Sequence, residues 1–260
     1  MIKKVLKFFL KLYLKLLTKL AILIHRPKII AIAGSVNKSF FRDEIKRVLI
    51  EKKYSVRANP KNFNTEIGLP LAILNLPSGY NSYKNWLPII WQASKALWQK
   101  FPEFLVLELG VSDQGDMSYL LSLIKPDIAV ITDITQRYSE GFDDMDELVD
   151  EYKILVKKIN SSGLVVLNID NERVKNLAGE TKAKVQTFSL KNTADWQAEV
   201  IKKTTEGQMI KIKNQNNILN HAINRFGCQH AQAFLTALAI GAFYERSQEE
   251  KGDALAQAGL

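Results

Sequence analysis

One cysteine (Cys228) and three histidines (His25, His221, His230) are all the cysteine and histidine that 260 residues hold. A single thiol excludes a disulfide framework and a multi-cysteine zinc site, and it fits a reducing compartment. Histidines this scattered form no ligand pattern of their own. Internal repeats and low-complexity tracts are also missing, which excludes rods, stalks and disordered chains. The 47% hydrophobic and 24% charged residues are ordinary for a globular chain of one large domain or two small ones.

Acid is missing from the first 28 residues, which carry eight of the 36 Lys and Arg. The remainder holds 28 basic against 27 acidic side chains, so the net charge of +9 resides almost wholly in one segment. A near-neutral body argues against a nucleic-acid-binding protein, which needs clustered cations to meet phosphates. Lys3, Lys7, Lys11, Lys15 and Lys19 recur every four residues between Leu, Phe, Ile, Val and Tyr. That segment is too interrupted to span a bilayer, which takes about 20 apolar residues. It also lacks a signal-peptide cleavage site after Ile24. The spacing predicts a basic amphipathic helix over 1–26. Its lysine stripe and wide apolar face suit residues 1–24 to an anionic membrane surface, with packing on the protein's own body as the alternative. The expected location is cytoplasmic, peripheral on the inner face of the membrane.

Beyond Pro27, continuous apolar runs alternate with helical periodicity. Strands are expected over 28–33, 104–110, 128–132 and 164–168, with further candidates at 183–188 and 208–213. Helices are expected over 39–53, 84–100, 115–124, 143–160, 171–178 and 229–246. Runs that do not alternate polar with apolar predict a parallel sheet covered on both faces. The fold class is therefore α/β, a mostly parallel sheet with helices on both faces. Ligands of such sheets lie beyond the carboxyl ends of the strands. The residues there are Gly34 to Ser39, Glu108, Thr132 with Asp133, and Asn168 with Asp170. Trp86, Trp91 and Trp98 are expected to pack the 84–100 helix. The acids from Asp143 to Glu151 suit a helix N-terminus, and His221 and Cys228 are expected to be structural.

Gly34-Ser35-Val36-Asn37-Lys38-Ser39 joins a strand to a helix. Lys38 and Ser39 match the lysine and hydroxyl of a phosphate loop, but Ile32 and Asn37 stand where its two glycines belong. Asn tolerates φ > 0 better than most residues. Taken alone, the loop fits a nucleotide site and an ordinary strand–helix turn equally. The segment Asn62-Phe63-Asn64-Thr65-Glu66-Ile67-Gly68-Leu69-Pro70 follows. Leu105 to Gly115, Lys125 to Thr132 and Gly163 to Asp170 complete a series. In order and content these segments resemble the central, ATP-binding, P-loop-like domain of the Mur ligases. They come closest to the branch that joins D-alanyl-D-alanine to UDP-muramoyl tripeptide. The resemblance covers about residues 28–246. With the basic helix at 1–26, this divides the chain into that helix, a central domain at 27–248 and a tail at 249–260.

That resemblance implies an ATP- and Mg²⁺-dependent ligase of peptidoglycan synthesis that forms amides through an acyl phosphate. By similarity, Gly34, Ser35, Asn37, Lys38, Ser39, Asn168 and His230 would bind the nucleotide. Lys38 and Glu108 would be catalytic, and Ser39 and Glu108 would ligate Mg²⁺. Asn62, Asn64, Thr65 and Glu66 would meet the UDP-muramoyl peptide, unless they only cap their own loop. D-alanyl-D-alanine would be the second substrate, and a separate C-terminal domain a partner. Several family positions differ. Tyr138 stands for a histidine, Tyr152 for a lysine, Asn37 for a glycine, and Ala231 and Phe234 for two adenine-binding asparagines. The departures gather around the nucleotide and metal. They imply either an impaired ligase or a non-catalytic relative that binds UDP-muramoyl peptide or a protein partner at the membrane.

Overall fold

The computed structural model describes residues 2–79, 83–136, 141–215 and 217–257, with side chains at 5–79, 85–136, 141–215 and 217–245. The long helix α1 (Ile2–His25) ends before Pro27. Strand β1 (Lys28–Ala33) leads into α2 (Lys38–Glu51), and β2 (Val56–Ala58) into α3 (Gly68–Ile73) and α4 (Tyr83–Lys95). Then β3 (Phe104–Glu108), α5 (Asp116–Leu121), β4 (Ile128–Ile131), α6 (Met145–Lys158), β5 (Leu164–Asn168), α7 (Glu172–Lys175) and β6 (Lys184–Ser189) alternate. Three strands follow, β7 (Trp196–Lys203), β8 (Gln208–Asn214) and β9 (Asn217–Ile223), before α8 (Cys228–Gln257).

Among the described residues, nine strands form one sheet in the order β2-β3-β1-β4-β5-β6-β7-β8-β9. Every pairing from β2 to β7 is parallel, and β8 and β9 add an antiparallel edge. The apolar strands bury both faces. Ile29, Ala31 and Ala33 meet α3, α5 and α6 residues such as Leu69, Leu120 and Leu155. Ile30 and Ile32 face the other way, toward Phe41 and Ile45 of α2 and Leu235 and Ile240 of α8. β1 is central. The chain runs from it to β2 and β3 on one side, then crosses back to β4 on the other, which opens a crevice at the strand ends.

Three strands were not expected. β2 is only three residues long. β7 and β9 leave most of their residues exposed and carry no apolar run. The helix expected over 84–100 ends at Lys95, with a 3₁₀ turn over Ala96–Trp98, and α8 runs past 246 to Gln257. Trp86 is part-buried against a core cluster, but Trp91 is 62% exposed and Trp98 86%, so two of the three tryptophans do not pack as expected.

Helix α1 lies on the body through a third core cluster, where Leu14, Leu17 and Ala21 meet Leu71, Leu74, Ile89 and Ala93. Tyr13 Oη donates to the Ile90 carbonyl at 2.8 Å, and the His25 ring stacks on Phe101. Part of the lysine stripe also turns inward. Lys11 pairs with Glu66, and Lys15 Nζ donates to Ser122 Oγ at 2.6 Å above the Tyr119 ring. The opposite side leaves Phe8, Phe9, Leu12, Leu16 and Leu23 exposed. The helix therefore has a packed face and a free apolar face.

Leu14→Ala, at a fully buried position, should cost about 2–5 kcal/mol in urea unfolding. Leu16→Ala, on the free face, should stay within about 0.5 kcal/mol. Equal small losses would mean that α1 does not pack on the body.

Candidate functional site

The turn after β1 is fixed by sterics. Gly34 has φ +134°, and a Cβ there would lie 2.2 Å from Thr132 Oγ1, so only glycine fits. Ser35 N donates to the Asp133 carbonyl at 2.7 Å, and Thr132 Oγ1 donates to the Val36 carbonyl at 2.7 Å. Ser35 Oγ bonds Thr135 through both its carbonyl and its amide, each at 3.1 Å, and also bonds the Tyr152 hydroxyl. The turn is thus fastened to the chain that leaves β4. Asn37 adopts φ 67°, the left-handed conformation its side chain tolerates, and starts α2 without a side-chain cap. The first turn of α2 has no acid. Uncapped N–H groups at a helix N-terminus attract anions.

Lys38 Nζ donates to the Gly34 carbonyl at 2.5 Å, across the mouth of the turn. Burial pushes its pKa down, and the charge of Glu108 opposes that shift. Glu108 ends β3 and is 5% exposed. Asn59 fixes its backbone from both sides. Asn59 Oδ1 accepts from Glu108 N at 2.9 Å, while Asn59 Nδ2 donates to the Glu108 and Phe63 carbonyls. Arg42, one helical turn beyond Lys38, places a guanidinium nitrogen 2.8 Å from Glu108 Oε1. That contact is one of charge, without an aligned hydrogen bond. Arg42 is held in turn by the Asn59 carbonyl at 3.0 Å and by Asp43.

Asn64 abuts the end of the same strand: its carbonyl accepts from Gly110 N at 2.9 Å, and a Cβ on Gly110 would strike its side chain. Asn62 is exposed with φ 67°, and the Thr65 carbonyl accepts from Leu69 N at the start of α3. Glu66 is bound by Lys11 of α1. The turn, Lys38, Glu108 and Asn64 therefore converge, while Glu66 is engaged by α1.

A second group lies beyond β4 and β5. Asn168, fully buried, donates to Asp133 Oδ1 at 3.1 Å and accepts from Asp170 N at 3.1 Å. Asp170 accepts from Ser189 Oγ and Leu190 N. Burial, and then the charge of Asp170, push the Asp133 pKa up to about 6, against hydrogen bonds from Asn171 and Asn168. His230 sits at the start of α8, edge-on to Phe40, and borders a cavity of about 220 Å³ shared with Glu44, Arg47, His221 and Arg225.

The substituted positions have clear physical states. Ala231 and Phe234 are buried in the α2–α8 layer, and the His221 ring stacks on Phe234 at 4.2 Å. Neither offers an amide to a base. Tyr152 is 2% exposed, and burial pushes its hydroxyl up to about 12, so it remains a neutral partner of Ser35. Its neighbour Lys153 pairs with Glu180 at 2.8 Å instead. Tyr138 lies outside the described residues. In the acidic run, Asp144 caps α6, whereas Glu151 accepts Gly115 N and Met117 N at 2.7 Å and so caps α5.

The residues at this turn suit phosphate but not a protein-held Mg²⁺. Among the described residues no three His, Cys, Asp or Glu side chains cluster as metal ligands. Glu108 already has Arg42 at 2.8 Å, with Lys38 nearby. Arg42 and Asn59 were not singled out from the sequence. The first had a signal, its i+4 spacing from Lys38. The second begins an Asn-Pro pair, which marks a turn.

A family model, the Mur ligase middle domain, matches residues 32–241. The UDP-N-acetylmuramoyl-tripeptide–D-alanyl-D-alanine ligase of Bacillus subtilis (strain 168) is 24% identical over 228 residues, which are 88% of this chain and 44% of that enzyme. Among solved structures, MurF from Acinetobacter baumannii aligns with a TM-score of 0.73 at 16% identity, over 90% of this chain and 47% of that one. MurF ligase from Thermotoga maritima in complex with ADP aligns at 0.67 and 19% identity, over 86% and 48%. The chain spans about half the length of these relatives.

Because the Asp133 pKa is raised, its charge costs stability as pH rises from 3.8 through about 6, and the cost is complete above that. Asp133→Asn should therefore be more stable than the wild type by on the order of 1 kcal/mol at pH 8 and equal to it near pH 4. Urea unfolding at the two pH values checks this. A less stable variant at pH 8 would show that the fold needs the carboxylate charged.

Proposed function

The chain belongs to the Mur ligase family through its middle domain, and from that premise we propose that it serves ATP-dependent amide ligation in peptidoglycan precursor synthesis. The observation that carries this reading is the turn Gly34–Ser39. Gly34 and Asn37 hold backbone conformations that suit it to phosphate, and Lys38 spans its mouth. Gly34, Ser35, Asn37, Lys38 and Ser39 would hold the nucleotide phosphates. A bound nucleoside triphosphate supplies the phosphoryl group that activates a carboxylate as an acyl phosphate for attack by an amine. The chain's own share is placement and charge. Lys38 neutralises phosphate oxygens, Glu108 favours the charged form of Lys38, and the α2 N-terminus directs N–H groups at the anion. The names of the relatives support a UDP-muramoyl peptide as the acyl substrate, met by Asn62, Asn64 and Thr65, and D-alanyl-D-alanine as the amine. Glu66 would join them on release from Lys11.

A second reading is a membrane-surface relative that binds the muramoyl peptide without turnover. The burial of Ala231 and Phe234 favours it, since neither can hold adenine by an amide. So does the free apolar face of α1. Among the described residues no helix is long and apolar enough to cross a membrane, so attachment would be interfacial, at the inner face.

Calorimetric titration of ATP into the full chain separates the readings. Saturable binding that Lys38→Ala weakens about 10- to 100-fold is expected for the ligase. Absence of binding at millimolar ATP would end it. For the membrane surface, exchanging Phe8 and Phe9 for Ser should reduce sedimentation with anionic vesicles, and unchanged sedimentation would exclude α1 as the anchor.

A further inference from the structure

The ion pair at the end of β3 engages the carboxylate that a metal ion would need. The charge of Glu108 acts on Lys38, and Glu108 is almost fully buried. A buried carboxylate requires a cation partner, and that partner here is the Arg42 guanidinium at 2.8 Å. Arg42 cannot swing away freely. Its side chain is 12% exposed, one nitrogen donates to the Asn59 carbonyl at 3.0 Å, and Asp43 takes two others. Asn59 also fixes the backbone of Glu108, so both partners hang from one buried asparagine. Mg²⁺ bonds oxygen at about 2.0–2.1 Å and needs near-octahedral space with several waters. Glu108 Oε1, buried and with a guanidinium nitrogen at 2.8 Å, lacks that space, and Arg42 already balances the charge of the carboxylate. The described residues offer no alternative cluster of ligands.

We infer that Arg42 replaces a divalent cation at Glu108, so that this site takes polyphosphate through built-in cations and without a protein-bound metal. Arg42 is here a positioning and charge-balancing residue. The ligand class rests on the proposed phosphate-binding role of Gly34–Ser39, whereas the metal half stands on the ion pair alone.

Two titrations keep the halves apart. In the first, free Mn²⁺ is followed by electron paramagnetic resonance as the full-length chain is added, with no nucleotide present. The wild type should leave Mn²⁺ free at millimolar concentration. Arg42→Gln should gain a saturable site, and the double change with Glu108→Gln should lose it. A saturable wild-type site that Glu108→Gln abolishes would overturn the inference, and that result needs no Arg42 variant to fold. A folded Arg42→Gln, checked by circular dichroism, that gains no site would overturn it as well. In the second, inorganic pyrophosphate is titrated in EDTA and in Mg²⁺. Equal wild-type affinity is expected, and a gain of about tenfold or more with Mg²⁺ would overturn the inference. Failure of pyrophosphate to bind in either buffer removes the phosphate-binding role and with it the ligand half, while the Mn²⁺ result still decides the metal half.

Discussion

A carboxylate at the end of a central strand, shut away from water, has to be matched by a cation, and much of the local architecture follows from that requirement. Glu108 brings Arg42 inward. Arg42 lies one turn from Lys38, so α2 must start at the β1 turn and run over the same face of the sheet. Asn59 then closes the arrangement by holding the strand end and the arginine together. Helix α2, which carries Arg42, also begins at the turn Gly34–Ser39. The charge balance and that turn are therefore joined through one helix, and removing either partner of the pair would strand the other in a dry site.

Legibility in the sequence follows the range of the interactions. β1, β3, β4 and β5 were readable because both faces are covered, which turns each strand into an unbroken apolar run. β7 and β9 were not, because one exposed face removes the run, and β2 is too short to carry a pattern. At the site, Gly34, Asn37 and Lys38 could be recognised from adjacent residues and chain geometry. The Arg42–Glu108 and Lys11–Glu66 pairs could not, because each joins segments that only tertiary folding brings together. The tryptophans show the same limit from the opposite side. Their apolar character suggested burial, but the face each occupies on the α4 segment decided otherwise for Trp91 and Trp98.

Helix α1 has a packed side and a free apolar side, where the sequence posed packing on the body and a membrane surface as alternatives. Its leucine row at Leu14 and Leu17 builds a core cluster of its own, and Lys11 and Lys15 fasten it to the segment before α3 and to the end of α5. The remaining apolar side is free. Because Lys11 holds Glu66, the helix is joined directly to a residue of the proposed substrate segment, and displacement of one would be felt by the other.

The two exposed indoles give the molecule an optical consequence. Trp91 has the Lys95 ammonium 3.4 Å from its ring centre, and Trp98 follows the carbonyl of Leu97 that meets His25 of α1. Both rings stand in water at the flank of the helix. Their fluorescence belongs at the red end of the tryptophan range, and it would turn blue if that flank were covered. The chain thus carries, in its own amino acids, a dye that reports whether the surface beside α1 is wet or dry.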